Sequence, residues 1–383
     1  MQPSFRLGRI AGIEVGVHWT VLFIVAIVGW SLSAGVLPAS AEGYATWQYW
    51  LAGIAGAVAF GLSILAHELS HSVVATREGV PVDSIVLWLF GGVAKLRTQA
   101  TSARTELRIA LAGPLMSLLI GVVSLTCALV AALVGLPDLV SATLAWFGGT
   151  NVLLMIFNLL PGAPLDGGRV LTAMVWRVTG DPHRARAFAS SAGRVVGQVL
   201  IALGLLQFAF FGGAGLWTAL VGWLIISMAR MEMAQNDIDA LLNGVTVAQV
   251  MTANPVTVPA GISVEDFVRG PWLDARVSTF PIVDLAGRPM GLIRVNDLSR
   301  VPRDEWATTP VLAAGTRIDD LTRAHPGDHL VDVLRATSDD RARILVVSDG
   351  RLVGIVSPLD IARALERLSL VKGRRVPSAV GSA

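Results

Sequence analysis

The sequence predicts a polytopic α-helical membrane protein of about six transmembrane helices, with a soluble α/β domain at its C-terminal, cytoplasmic end. Three observations predict this. The chain has 383 residues, of which 53% are hydrophobic and only 15% charged, and its mean hydropathy of +0.63 is too high for an ordinary soluble protein. Its charge is also unevenly placed: residues 1 to 236 hold 13 Lys/Arg and 10 Asp/Glu, whereas residues 237 to 383 hold 17 and 18. Finally, apolar runs near the length needed to cross a bilayer, about 20 residues, recur only in the first part.

Taken in order, these runs cover roughly 13 to 36, 47 to 75, 109 to 135, 142 to 160, 195 to 211 and 216 to 229. The last two are short and joined by Gly212-Gly213-Ala214-Gly215, so a re-entrant pair is the alternative there. Loop charges favour six crossings. Arg6 and Arg9 precede the first run, Arg77, Lys95, Arg97, Arg104 and Arg108 lie between the second and third, and Arg169, Arg177, Arg184, Arg186 and Arg194 lie between the fourth and fifth. The alternate loops carry no Lys or Arg, so the positive-inside rule puts both termini in the cytoplasm of a multi-pass cell-membrane protein. Trp30, Trp47, Trp50, Trp146 and Trp217 lie near the uncharged ends, where an outer aromatic belt forms. Arg6 and Arg9, the first run and Ala39-Ser40-Ala41 also resemble a cleaved signal peptide, but the run is too long for a signal core and contains His18.

The net charge of +2 is too small, and too evenly mixed in the soluble half, for a nucleic-acid partner. A single cysteine, Cys127, excludes an internal disulfide and a cysteine-based metal site.

The chemistry concentrates in Leu65-Ala66-His67-Glu68-Leu69-Ser70-His71. On a helix, His67 and His71 share one face and can reach one ion, and zinc suits this pair. Glu68 has the place of a general base that takes a proton from water and carries it to the leaving amine. The bland alternative is a solvated polar helix face. Against it, no ionisable residue other than these lies between Tyr49 and His71 except Tyr49 itself, and three titratable groups buried unpaired would cost several kcal/mol.

A catalytic zinc takes three protein ligands, so two histidines need a third. Asp166 is the best placed, in Asn158-Leu159-Leu160-Pro161-Gly162-Ala163-Pro164-Leu165-Asp166-Gly167-Gly168. The prolines break the helix, and irregular backbone at membrane depth lines a cavity or is buried in protein. The second and fourth runs point the same way, so His67 and Asp166 meet at similar depth. Asp-Gly is also a common turn dipeptide, which is the alternative for Asp166. Asn158 is suited to donate to an oxyanion, or equally to cap backbone groups freed by the broken helix. His18 reads as a polar contact between spans, and His183, His325 and His329 are not assigned to the metal.

The histidine motif and the Asn158 to Gly168 segment together resemble the site-2 protease family of intramembrane zinc metalloproteases. Gly91-Gly92-Val93-Ala94 and Ala112-Gly113-Pro114-Leu115 add to the resemblance, which covers about residues 1 to 230. It implies one zinc per chain held by His67, His71 and Asp166, with Glu68 as base. It also implies cleavage of a transmembrane or membrane-adjacent helix, often of a regulatory protein already trimmed elsewhere. No inserted PDZ-like domain is evident. Such a substrate must be unwound, and an extended hairpin over Ser84 to Arg97 offers an edge for it, unless that segment is only a packed interfacial loop.

The soluble half contains two similar units, 245 to 302 and 308 to 367, after a membrane domain of residues 1 to 235. Each unit ends in a Gly-hydrophobic-hydrophobic-x-x-x-Asp element, Gly291 to Asp297 and Gly354 to Asp360. With Val250-Met251-Thr252 they resemble a tandem pair of CBS domains, which often bind adenine nucleotides through the Asp. Ser357 and Asp360 keep that pattern, whereas Arg294 replaces the hydroxyl residue before Asp297. A structural or homodimerising role for the pair is the alternative. Residues 371 to 383 read as a basic, disordered tail. The leading expectation is therefore a membrane-embedded zinc endopeptidase modulated by its CBS pair. The alternatives are a CBS-regulated ion transporter using the same residues as a transport site, and a non-catalytic binder of membrane helices.

Overall fold

The computed structural model describes residues 4–88, 91–96, 98, 100–275, 277–337 and 343–372. It divides into two units, Met1–Asn236 and Asp237–Ala383.

Among the described residues, six helices are long and apolar enough to cross a membrane. They are α1 (Thr20–Ser40), α2 (Thr46–Arg77), α3 (Ala103–Leu133), α4 (Asp138–Asn158), α6 (Pro182–Phe211) and α7 (Ala214–Leu242), with a shorter α5 (Asp166–Thr179) between α4 and α6. Their outward faces carry exposed apolar side chains such as Leu62, Leu129, Leu153 and Trp217, as lipid-facing surfaces do. Cys127 belongs to the same exposed class.

Two expectations are corrected here. The first crossing starts at Thr20 rather than residue 13, because Ile13–Val17 is a strand. Phe5–Ile10 (β1) and Ile13–Val17 (β2) form an antiparallel hairpin, turned by Ala11 and Gly12, both at positive φ, as a two-residue turn of this type requires. Hydropathy alone cannot separate an apolar strand from the apolar helix that follows it. His18, accordingly, lies between that strand and α1; its Nδ1 is 3.0 Å from Thr20 Oγ1, a local contact rather than one between spans.

The fifth and sixth runs are no short re-entrant pair. Helix α6 has 30 residues and α7 has 29. The polar first turns of α6, which hold Arg184, Arg186 and Arg194, are part of the helix although they fall outside the apolar run. Asp181 caps α6, accepting from the backbone N–H groups of His183 and Arg184. The backbone hydrogen bond from Arg184 does most to hold its carboxyl below the usual carboxylate range. Helices α6 and α7 approach through glycines: a methyl on Gly197 would lie 2.7 Å from the Gly222 carbonyl, and one on Gly204 would lie 2.7 Å from that of Gly215. Such small-residue contacts suit helix pairing in lipid, where burial of apolar surface adds no driving force.

A four-stranded sheet of order β1-β2-β3-β4 completes the first unit, with β3 at Val82–Trp88 and β4 at Gly91–Leu96. Strands β2 and β3 pair in parallel and β3 and β4 antiparallel, Leu87 facing Gly92. The expected hairpin is thus present, with β4 at a sheet edge, although Arg97 lies outside the described residues. Ile13, Val80, Ile85 and Ile109 pack this sheet onto α2 and α3.

Among the described residues, the second unit holds two four-stranded sheets, ordered β10-β11-β12-β5 and β6-β7-β8-β9. The strands are β5 (Thr252–Ala253), β6 (Val258–Pro259), β7 (Thr279–Val283), β8 (Pro289–Arg294), β9 (Thr316–Arg317), β10 (Arg323–Ala324), β11 (Ile344–Ser348) and β12 (Arg351–Val356). Strand β5, from the first repeat, pairs with β12, and β9, from the second, pairs with β8. The repeats therefore exchange edge strands. Buried Phe267 and Phe280 centre one core, Leu330, Ile344 and Val346 another, and Leu292, Leu345 and Ile355 join the sheets. Helix α8 (Pro358–Lys372) closes the second repeat. Of the expected tail, residues 373 to 383 lie outside the described set.

Candidate metal and catalytic site

Helix α2 places His67 and His71 one turn apart, and both are buried. Asp166 is the first residue of α5. The loop that delivers it is held by close backbone contacts. The Ala163 N–H donates to the Ala189 carbonyl at 3.1 Å. A methyl on Gly193 of α6 would strike the Ala163 backbone, and methyls on Gly167 and Gly168 would strike residues 159 to 163. These glycines let the loop fold tightly enough to reach α2.

The three side chains converge. Asp166 Oδ2 is 3.1 Å from His67 Nε2 and 3.2 Å from His71 Nε2, and the two imidazole nitrogens are 3.2 Å apart. Zinc bonds of about 2.0 to 2.1 Å at tetrahedral angles would set ligand atoms roughly 3.3 Å apart, so this triangle has the size of one tetrahedral face. Chemistry agrees with size. His71 Nδ1 donates to the Ile109 carbonyl at 2.6 Å; a carbonyl only accepts, so the neutral ring has its bare lone pair at Nε2. His67 Nδ1 is oriented by Ser117 Oγ at 2.9 Å. Two imidazole nitrogens and a carboxylate oxygen facing one point attract a shared cation, a proton or a metal ion, into the space between them. Among the described residues this is the one His/Cys/Asp/Glu group with metal-binding spacing.

Glu68 is held beside this centre. Its Oε1 accepts the Gly92 N–H of β4 at 3.1 Å, and a methyl on Gly92 would lie 2.6 Å from the carboxyl carbon. His67, Glu68, His71, Asn158, Asp166 and Arg169 all line one cavity of about 620 Å³. Asn158, the last residue of α4, makes no side-chain hydrogen bond among the described residues, and so does not cap the broken helix. His183 lies apart, its Nδ1 3.3 Å from Asn236 Oδ1, and the His325 ring serves a local turn.

Sequence reasoning did not single out Ser117, the Ile109 carbonyl or Arg169. Gly113 and Ser117 are four apart on α3, and that spacing was a usable signal: a methyl on Gly113 would collide with both histidine rings, and Ser117 holds one of them.

In the second unit, Asp360 Oδ2 accepts the Ser357 N–H at 2.8 Å and its hydroxyl at 2.6 Å, while Oδ1 accepts from Thr252 Oγ1 at 2.8 Å. Thr252, Asp360, Gln249, Arg363 and Arg367 line a cavity of about 470 Å³. At the first repeat, Asp297 is buried and accepts the Arg294 N–H at 3.0 Å.

The profile of Peptidase family M50 matches residues 55–139 and 134–203, and that of the CBS domain matches 247–304 and 317–367. A Mycobacterium tuberculosis protein named "Putative zinc metalloprotease Rip3" is 43% identical over 369 residues, covering 96% of this chain and 94% of that protein. "Zinc metalloprotease MJ0392" of Methanocaldococcus jannaschii is 30% identical, covering 97% and 98%. The solved structure of a site-2 protease from the same archaeon aligns with 60% of this chain and 94% of its own, at 27% identity and a TM-score of 0.40. The chain belongs to peptidase family M50, the site-2 type of zinc metalloprotease, and carries a pair of CBS domains.

Proposed function

We propose that this protein hydrolyses peptide bonds in or near transmembrane segments of membrane-bound regulatory proteins, with one zinc held by His67, His71 and Asp166. The observation that carries this reading is the convergence of those three ligand atoms next to Glu68, in a cavity between membrane helices. Membership in a peptidase family favours hydrolysis over ion transport as the use of that site.

When bound, zinc supplies Lewis-acid chemistry to the scissile carbonyl and to water. Glu68 takes the proton of the attacking water and delivers it to the departing amine. Its hydrogen bond to Gly92 fixes where that carboxylate stands. Asn158, with an uncommitted amide on the same cavity, donates to the carbonyl oxygen as charge develops there. The edge of β4 pairs with the unwound substrate, whose backbone groups otherwise lose their partners at membrane depth.

By the positive-inside rule, both termini and the CBS pair are cytoplasmic. The CBS pair binds an adenine nucleotide at Asp360 and the Ser357 hydrogen-bonded to it, with Arg363 and Arg367, on the cavity that Asp360 lines, for its phosphates, and modulates activity or homodimerisation. The site near Asp297 is less suited, because that carboxylate is buried and Arg294 stands where the hydroxyl residue would be.

The test uses the full chain in detergent with model transmembrane peptides and mass spectrometry of the products. Cleavage that is abolished by a chelator and restored by zinc is the expected result. Bound zinc without cleavage of any membrane peptide would contradict the proposal.

A further inference from the structure

The cavity holds a charged side chain with no part in the chemistry above. Arg169 lies three residues after Asp166 on α5, so both side chains leave the helix on the same side. Its Nε donates to Glu106 Oε1 of α3 at 2.8 Å, which anchors the guanidinium without consuming it. Arginine has five N–H donors, four of them on the two Nη atoms. Those Nη atoms make no hydrogen bond among the described residues, although Arg169 lines the cavity with Glu68 and the histidines. A second polar group belongs to the same cavity: Ser72, one turn after Glu68 on α2, is buried and lines it, and its Oγ has no hydrogen-bond partner.

Glu106, Asp166 and Glu232 all bear on this cation, but its hydrogen bond to Glu106 uses only Nε and leaves the fork of Nη donors open on the cavity. The open donors match a specific need of the reaction. Unwinding a helix next to the scissile bond frees main-chain carbonyls that have no water to bond with, at several kcal/mol each. The β4 edge serves only one side of an extended peptide, and its outward donors cannot reach carbonyls turned the other way. Resting on the protease reading, we infer that Arg169 and Ser72 form a carbonyl-binding subsite that holds main-chain oxygens of the unwound substrate left unpaired by β4. Recognition there is of backbone, independent of side chains, and Arg169 is a substrate-binding residue rather than a zinc ligand or base.

The test measures binding apart from cleavage. The probe is a fluorescent peptide of about 20 Leu and Ala residues with a central Asn-Pro to weaken its helix. Its affinity is measured for the zinc-loaded full chain carrying Glu68→Gln, and for that chain with Arg169→Gln, Arg169→Lys or Ser72→Ala added, with zinc content determined in each. Removing charge-assisted hydrogen bonds should weaken binding about 10- to 100-fold in Arg169→Gln. Arg169→Lys, which keeps a cation for Glu106 but loses the fork, should weaken it less, and Ser72→Ala by a few-fold at about the neutral-bond scale. Zinc content should stay constant throughout. Unchanged affinity in both Arg169 variants, or no binding by the Glu68→Gln parent, would overturn the subsite. So would weaker binding with parallel zinc loss, which would make Arg169 a support for Asp166. Wild-type cleavage of the same peptide, assayed alongside, separates failure of this subsite from failure of the protease reading.

Discussion

The backbone N–H of Gly92 donates to Glu68 Oε1 at 3.1 Å, so the edge strand that would receive substrate also positions the carboxylate that would act on it. A side chain at residue 92 cannot share that space, because a methyl there would lie 2.9 Å from Oε2 and closer still to the carboxyl carbon. Gly92→Ala should therefore lower cleavage about 100-fold, within the range of general-base contributions, while zinc content stays at the wild-type level. The check is kcat beside metal analysis of the same preparation. Wild-type kcat in this variant would show that Glu68 does not depend on its β4 contact.

Gly113 supplies the opposite signature. A methyl at this position would meet both imidazole rings, so Gly113→Ala should weaken zinc binding. Ser117→Ala should weaken it about 10-fold by releasing His67 Nδ1. Competition with a fluorescent chelator measures both effects. Chelator competition curves matching wild type would contradict the assigned orientation of the rings.

Gly193 tests how Asp166 is delivered. Its Cα faces the backbone of Gly162 and Ala163, and any side chain there would push the loop away from α6. Gly193→Ala should cost about 1 to 3 kcal/mol, the scale of overpacking, seen as a lower Tm in detergent together with reduced zinc content. A lower Tm with full zinc content would show that the loop can move without displacing Asp166.

In the soluble half, Asp360 ties Ser357 to Thr252 of the exchanged strand β5. Asp360→Ala should abolish AMP binding to the full chain, measured by isothermal titration calorimetry, and cost about 0.3 to 1.5 kcal/mol by breaking the capping box in which Ser357 is the N-cap. AMP binding that survives the substitution would move the nucleotide away from this cavity.

Much of the site was legible in the sequence because it rests on local rules. Four-residue spacing puts His67 and His71 on one face, and Pro161 and Pro164 mark irregular backbone just before Asp166. What stayed hidden depends on contacts between elements distant in sequence. Ser117 looks like any small polar residue of a membrane helix until His67 is beside it, 50 residues away. Arg169 counts as a loop charge by position, yet it lies on α5 and faces inward, because its helix packs against α3 and Glu106. The hairpin at Phe5–Val17 was hidden for another reason: strand and helix share one apolar run, and only the Ala11-Gly12 turn separates them from a longer span.

The most direct test of the central claim is to measure zinc per chain and peptide cleavage together, in wild type, Glu68→Gln and Asp166→Ala. The account predicts about one zinc per chain with cleavage in the wild type, zinc without cleavage in Glu68→Gln, and loss of both in Asp166→Ala. Cleavage by Glu68→Gln near the wild-type rate, or full zinc content in Asp166→Ala, would contradict it.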